Sequence, residues 1–174
     1  MKAYMGLTCK VGAYTKVLEK LLLDLNIFHK DIFLLFGPVD ILIQFTGLKS
    51  LDEFIEKWFN RVRIIGAEEN LITKTLSLVV ISEGPVLDEK PFAFIFLNTQ
   101  PKNLENVRRS LLAIPEVLSA DTVFGPYDVI SSVRAKDHID LERIISNIQN
   151  IPGIESSMTS VVASISAPAR SFRY

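Results

Sequence analysis

The amino-acid sequence predicts an α+β fold made of two tandem βαββαβ units, and three observations carry that expectation. The chain repeats: Phe36-Gly37-Pro38-Val39-Asp40 returns as Phe124-Gly125-Pro126-Tyr127-Asp128, the two glycines lying 88 residues apart in a chain of 174. Around each copy, apolar runs of strand length alternate with patterns of helical period, in the same order. Between the copies, the segment from Glu83 to Lys90 is polar and holds Gly84 and Pro85, which marks a linker where the repeat restarts. The expected division is therefore a first unit over 1–82, a linker over 83–90, a second unit over 91–167 and a basic, aromatic tail over 168–174.

In the first unit, Met5 to Cys9 reads as a strand, and Val17, Leu18, Leu21, Leu22 and Leu25 form the apolar stripe of a helix. Ile32 to Leu35 and Ile41 to Phe45 are strands on either side of the Gly37-Pro38 turn. Ser50 and Glu53 are spaced as a capping box, opening a helix expected to turn Leu51, Phe54, Ile55 and Trp58 inward and to stop at Gly66. Leu76 to Ile81 is the last strand. In the second unit, Pro91 to Leu97 is aromatic and branched, too short for a helix. Pro101 suits a first helical turn, and Leu104, Val107, Leu111 and Leu112 follow at helical spacing until Pro115. Val117 to Phe124 and Val129 to Val133 are strands around Gly125-Pro126. Asp137 or Asp140 caps a helix striped by Leu141, Ile144, Ile145 and Ile148, and Thr159 to Ile165 closes the unit.

A βαββαβ chain with right-handed crossovers gives the ferredoxin-like plan, an antiparallel four-stranded sheet with two helices on one face. If water covered the other face, the strands should alternate apolar and polar residues. They do not: Phe92, Phe94 and Phe96 point one way, while Ala93, Ile95 and Leu97 on the opposite side are apolar too. A bare face of four short strands covers about 300 Å², and two of these exceed what a monomer leaves wet. Both faces are expected to be buried, one by helices and one by a second sheet packed face to face, supplied by the other half of the chain, another subunit, or both.

Composition removes several functions. Lys and Arg number 19 against 20 Asp and Glu, so no direct DNA binding is expected. One Cys and two His leave neither a disulfide framework nor a Cys/His zinc site, so no metal and no cofactor are expected. Charged residues interrupt every apolar run before it reaches a membrane span, and a cytoplasmic location is expected.

The second copy closely resembles the RAM (regulation of amino-acid metabolism) domain of the Lrp/AsnC transcription regulators. The resemblance rests on Ile114-Pro115-Glu116-Val117, the Gly125-Pro126-Tyr127-Asp128 turn, Ile151-Pro152-Gly153-Ile154-Glu155 and Thr159, standing in the family's order and spacing. The first copy keeps Gly37 and Asp40 but has Val39 where the family favours Tyr, and Ile65-Gly66-Ala67-Glu68 where it has Pro-Gly-Val-Glu. The family places a helix-turn-helix before this domain; here a strand begins by Met5, so the resemblance implies a stand-alone tandem form. It also implies a non-enzymatic module that binds an amino acid or similar small effector, with Gly125, Pro126, Tyr127, Asp128 and Thr159, and Gly37, Pro38, Val39 and Asp40 in the first copy, as candidate ligand-binding residues. A homo-oligomeric ring of about four chains, and association with full-length Lrp/AsnC regulators, are implied as partners.

The turn supports this chemically. Glycine permits close backbone approach, turn N–H groups receive a carboxylate, and Asp meets an ammonium. Pro38 and Pro126 have no N–H to offer. The competing structural reading is a plain hairpin turn held by its own Asp. His29 and His138 fall in different copies, and Cys9 sits among apolar neighbours. The Asp137, His138, Asp140 and Glu142 group reads as a solvated helix start, and Arg61, Arg63, Arg108 and Arg109 as solvated cations. Two other functions share this fold plan: a small monooxygenase-like barrel enzyme, and a purely structural assembly partner.

Overall fold

The computed structural model describes residues 1–163; the predicted tail over 168–174 and the end of the last predicted strand lie outside them. The first half runs β1 (Ala3–Cys9), α1 (Tyr14–Leu23), β2 (Ile32–Phe36), β3 (Ile41–Phe45), α2 (Leu51–Phe54), α3 (Asn60–Glu68) and β4 (Ile72–Ser82). The second runs β5 (Ala93–Thr99), α4 (Leu104–Leu112), β6 (Val117–Phe124), β7 (Val129–Val133), α5 (His138–Gln149) and β8 (Ile154–Val162). All eight strands join in one closed antiparallel barrel, in the order β1-β3-β2-β8-β5-β7-β6-β4.

The two halves do more than face one another. They are hydrogen-bonded edge to edge along two short seams. One joins β2 to β8, pairing Leu35 with Val162 and Phe36 with Val161. The other joins β4 to β6, pairing Val79 with Phe124, Val80 with Val123 and, past a bulge, Ser82 with Thr122. Closure removes the edges that an open sheet would expose along those stretches.

Alternation along each strand sorts its residues into three cores. Met5, Leu7, Ile41 and Ile43 pack under α1 and α3 with Val17, Leu21 and Val62. Ile95, Leu97 and Val129 pack under α4 and α5 with Val107, Leu111 and Ile144. The opposite faces, carrying Tyr4, Phe33, Leu42, Leu78, Phe94, Phe96 and Ile130, meet inside the barrel. Phe33 and Phe94 touch edge to face there, with centroids 4.9 Å apart. The second sheet that the apolar faces demanded is the other half of the same chain.

Two local expectations need correction. Ser50 does cap α2, its Oγ accepting from the Glu53 N–H at 3.1 Å. The helix then passes through a π-helical stretch, Ile55–Phe59, before α3. Leu51, on the first turn of α2, and Ile55, where the π-helical stretch begins, lie exposed, 46% and 36%, while Phe54 is buried and Trp58 half-buried. Phe54 and Trp58 meet Phe45 at 5.5 and 5.3 Å. Nor does Gly66 end the helix. It lies inside α3 where β4 crosses, and a Cβ there would stand 2.8 Å from Ile72 Cβ.

The linker is packed rather than free. Leu87 lies against the central core, the Gly84 N–H donates to Asp121 Oδ1 at 2.6 Å, and Arg108 Nη2 donates to the Glu83 carbonyl at 2.9 Å. Arg108 is thus a clamp on the linker, not a solvated cation. Among the described residues no helix is long and apolar enough to cross a membrane.

Candidate functional site

Both Gly-Pro turns sit where one half of the chain meets the other. Gly37, between β2 and β3, lies against β8: a Cβ there would fall 2.8 Å from Ser160 Oγ and 3.3 Å from Ser160 Cα. Gly125, between β6 and β7, lies against β4, where a Cβ would fall 2.7 Å from the Ser77 carbonyl oxygen. Close approach of the facing strand, through Ser160 at Gly37 and the Ser77 backbone at Gly125, is what requires glycine at each position. Pro38 and Pro126 are exposed beside them.

The two aspartates do identical work. Asp40 Oδ2 accepts from the Cys9 N–H at 2.6 Å, and Asp128 Oδ2 accepts from the Thr99 N–H at 2.8 Å. In each half the β1–β4 or β5–β8 register shifts at that point, between Thr8 and Cys9 and between Asn98 and Thr99. Each carboxylate satisfies an amide that the bulge releases from the ladder. Both are half-buried, and the second oxygen of each has no partner among the described residues.

Val39 and Tyr127 occupy the same turn position but point inward. Val39 is 5% exposed and belongs to the central core. Tyr127 packs on Phe96, centroids 5.3 Å apart, with its hydroxyl 3.3 Å from Met158 Sδ. They plug the barrel mouth. Thr159 is half-buried on β8, opposite Ile95. The structure therefore places Gly125, Pro126 and Asp128 on the β4–β6 seam and Gly37, Pro38 and Asp40 on the β2–β8 seam. The two sets form separate surfaces.

One polar cluster escaped the sequence reading. Asp121, fully buried on β6, accepts from Lys2 Nζ and from the Tyr4 hydroxyl, both at 2.6 Å on Oδ2, and from the Gly84 N–H on Oδ1. Burial, reinforced by the neighbouring Asp121 carboxylate, pushes the Tyr4 phenol well above its ordinary pKa. Ladder register reveals why this is unusual. Ala3 pairs with Phe45 as Ala93 does with Val133, and Leu34 with Ile41 as Thr122 does with Val129. Lys2 thus corresponds to Phe92, Tyr4 to Phe94 and Asp121 to Phe33. The seam contact that is Phe33 on Phe94 at one side of the barrel is Asp121 on Tyr4 at the other. A lysine or aspartate standing where the other copy has phenylalanine was the signal available in the sequence.

The remaining polar candidates are dispersed. His29 lines a cavity of about 460 Å³ and His138 another of about 820 Å³. Cys9 is half-buried with its thiol pushed up to about 11, first by burial and then by Asp40. Asp137 is the cap of α5, its Oδ1 accepting from the Asp140 N–H at 2.8 Å. Among the described residues no group of three or more His, Cys, Asp or Glu stands ready for a metal ion.

Residues 92–171 match the model of the Lrp/AsnC ligand binding domain. The chain is 41% identical over 140 residues to a homocitrate synthase of Sulfurisphaera tokodaii, an alignment covering 70% of this chain and 30% of that protein. It is 26% identical over 100 residues to the HTH-type transcriptional regulator FL11 of Pyrococcus horikoshii, covering 58% of this chain and 65% of the regulator. The chain thus spans less than two thirds of the length of these curated relatives. Among solved structures, the siroheme decarboxylase NirDL superposes with a TM-score of 0.63 over 92% of this chain and 71% of that one, at 9% identity. That last likeness is one of fold. The second half of the chain is thus similar to Lrp/AsnC ligand-binding domains, and the relatives that share this similarity include HTH-type transcriptional regulators.

Proposed function

We propose that this chain is a tandem pair of ferredoxin-like RAM units acting as a non-enzymatic effector-binding module, with units over 1–82 and 91–167. It takes up an amino acid or similar small effector at the Gly-Pro turns and assembles as a ring of about four chains. Through that ring it modulates transcription or metabolism in concert with full-length Lrp/AsnC regulators. The observation that carries the reading is the paired turn geometry. Gly125, Pro126 and Asp128 keep a rigid, seam-mounted turn, and Gly37, Pro38 and Asp40 keep its counterpart at the other seam, with Thr159 on β8 beside Gly37. Asp128 spends one carboxylate oxygen on the Thr99 amide, which locks its rotamer and leaves the other to receive an ammonium group. Val39 and Tyr127 support the turns from beneath. The similar segments in an HTH-type regulator and in a homocitrate synthase fit a sensing module attached to different outputs.

The test is thermal denaturation of the full chain against each of the twenty amino acids. At about 100 times its dissociation constant an effector adds about 2.7 kcal/mol, which raises Tm by about 5–10 °C for a domain of this size. Asp128→Asn keeps an acceptor for the Thr99 amide but removes the charge, so it should abolish that shift while leaving the ligand-free Tm within a degree or two. No response to any amino acid, or an unaltered response in Asp128→Asn, contradicts the reading.

A further inference from the structure

We propose a second small-molecule site, separate from the Gly125 turn: a cleft at the β2–β8 seam, flanking the Gly37 turn, that binds a planar aromatic anion, an arenecarboxylate or arenesulfonate. The cleft encloses about 820 Å³ and is walled by both halves of the chain, the end of the linker and the start of α5. That volume falls within the range of drug-sized ligand sites.

Its apolar surface is aromatic. Phe36 lines it while remaining 70% exposed, and it pairs with Val161 on β8. Phe92 lies half-buried across the cleft, with the His138 ring set edge-on against it at 5.6 Å and 74°. A phenyl ring exposed to that extent leaves most of its surface in water, and a flat ring entering the cleft would cover it.

The charge left over is positive. Three carboxylates line the cleft and each is already engaged by an arginine. Arg134 pairs with Glu89 at 3.2 Å, and Arg143 holds both Glu116 and Asp140. The two lysines make no ion pair of their own among the described residues, although Lys136 stands near Asp140, which Arg143 already holds. Lys90 Nζ donates to the neutral Ala163 carbonyl at 3.1 Å, and the Lys136 side chain, which is exposed, has no partner among the described residues. An anion held between these ammonium groups, with its ring on Phe36 and Phe92, satisfies both halves of the lining.

The repeat does not build this cleft twice. At the other seam Phe124 is exposed like Phe36, 73%, but the counterpart of Phe92 is Lys2, which is committed to Asp121. In the same register Leu48 and Ser50 stand in place of Lys136 and His138. One site per chain follows. Because the cleft spans the short β2–β8 seam, occupancy clasps the two halves together and raises Tm.

The probe is 8-anilinonaphthalene-1-sulfonate added to the folded full chain. The expected result is enhanced, blue-shifted fluorescence saturating at one probe per chain. 2-Naphthoate should displace the probe, whereas naphthalene-2-methanol, which lacks the charge, and acetate, which lacks the ring, should not at the same concentration. Phe36→Ser and Lys136→Glu change exposed side chains, so circular dichroism should be unaltered while probe affinity falls at least tenfold. Phe124→Ser, the matching change at the other seam, should leave affinity unchanged. The proposal is overturned by absent binding, by wild-type affinity in Phe36→Ser and Lys136→Glu, by loss of binding in Phe124→Ser, or by equal displacement with the neutral alcohol. Since Asp128→Asn leaves this cleft intact, amino-acid binding at the turn and probe binding here succeed or fail separately.

Discussion

Asp121→Ala should lower the unfolding free energy by about 3–5 kcal/mol, the cost of leaving a buried charge without its partner. Lys2 and Asp121 are 5% and 0% exposed, so the Lys2 ammonium loses its ion-pair partner in a site with little access to water once Asp121 is gone. The Tyr4 hydroxyl and the Gly84 amide lose their acceptor at the same time, and each stranded donor adds to the loss. In urea denaturation the midpoint should fall with little change in slope. The double variant Lys2→Met with Asp121→Leu should recover a large part of the loss, because it removes both charges together. A loss below about 1 kcal/mol in Asp121→Ala would mean that the cluster is solvated and that the β4–β6 seam is looser than described.

Phe94→Ala should cost about 3–5 kcal/mol, and Ile95→Ala, its immediate neighbour on the other face of β5, about 2–5 kcal/mol. Both residues are fully buried. Phe94 fills the barrel interior against Phe33, and Ile95 fills the separate layer under α4 and α5. In a sheet with one wet face, one of two adjacent residues is always cheap to truncate. Here neither should be, and a value below about 1 kcal/mol for either would show that its face is exposed to water.

What the sequence disclosed, and what it withheld, follow from the same physics. Apolar residues on both sides of Pro91 to Leu97 require two covered faces. The pattern is silent on which sheet does the covering, because hydrophobic burial is non-directional; the hydrogen-bonded seams at Leu35–Val162 and Val79–Phe124 are long-range pairings with no local signature. The Gly-Pro turns and the Ser50 cap were legible because their chemistry is local. The π-helical stretch at Ile55–Phe59 was not, since it is set by how Phe54 and Trp58 reach Phe45 rather than by propensity. At the turns, Asp40 and Asp128 stood out as chemistry, and their bonds to Cys9 and Thr99 show that each also fastens a strand bulge some thirty residues away. Lys2 and Asp121 are not legible as interior residues, because charged residues in a sequence read as surface. Only their alignment against Phe92 and Phe33 in the other repeat marks them as interior.

The barrel's closure within a single chain is tested most directly by nuclear Overhauser contacts between the Phe33 and Phe94 rings, 4.9 Å apart across the β2–β8 side. In uniformly labelled protein this contact should be strong. In an isotope-filtered experiment on an equimolar mixture of labelled and unlabelled chains, which detects only contacts between chains, it should vanish. Appearance of the Phe33–Phe94 contact in the filtered spectrum would show that each half closes its barrel with a different molecule, and would contradict the fold on which both proposed ligand sites rest.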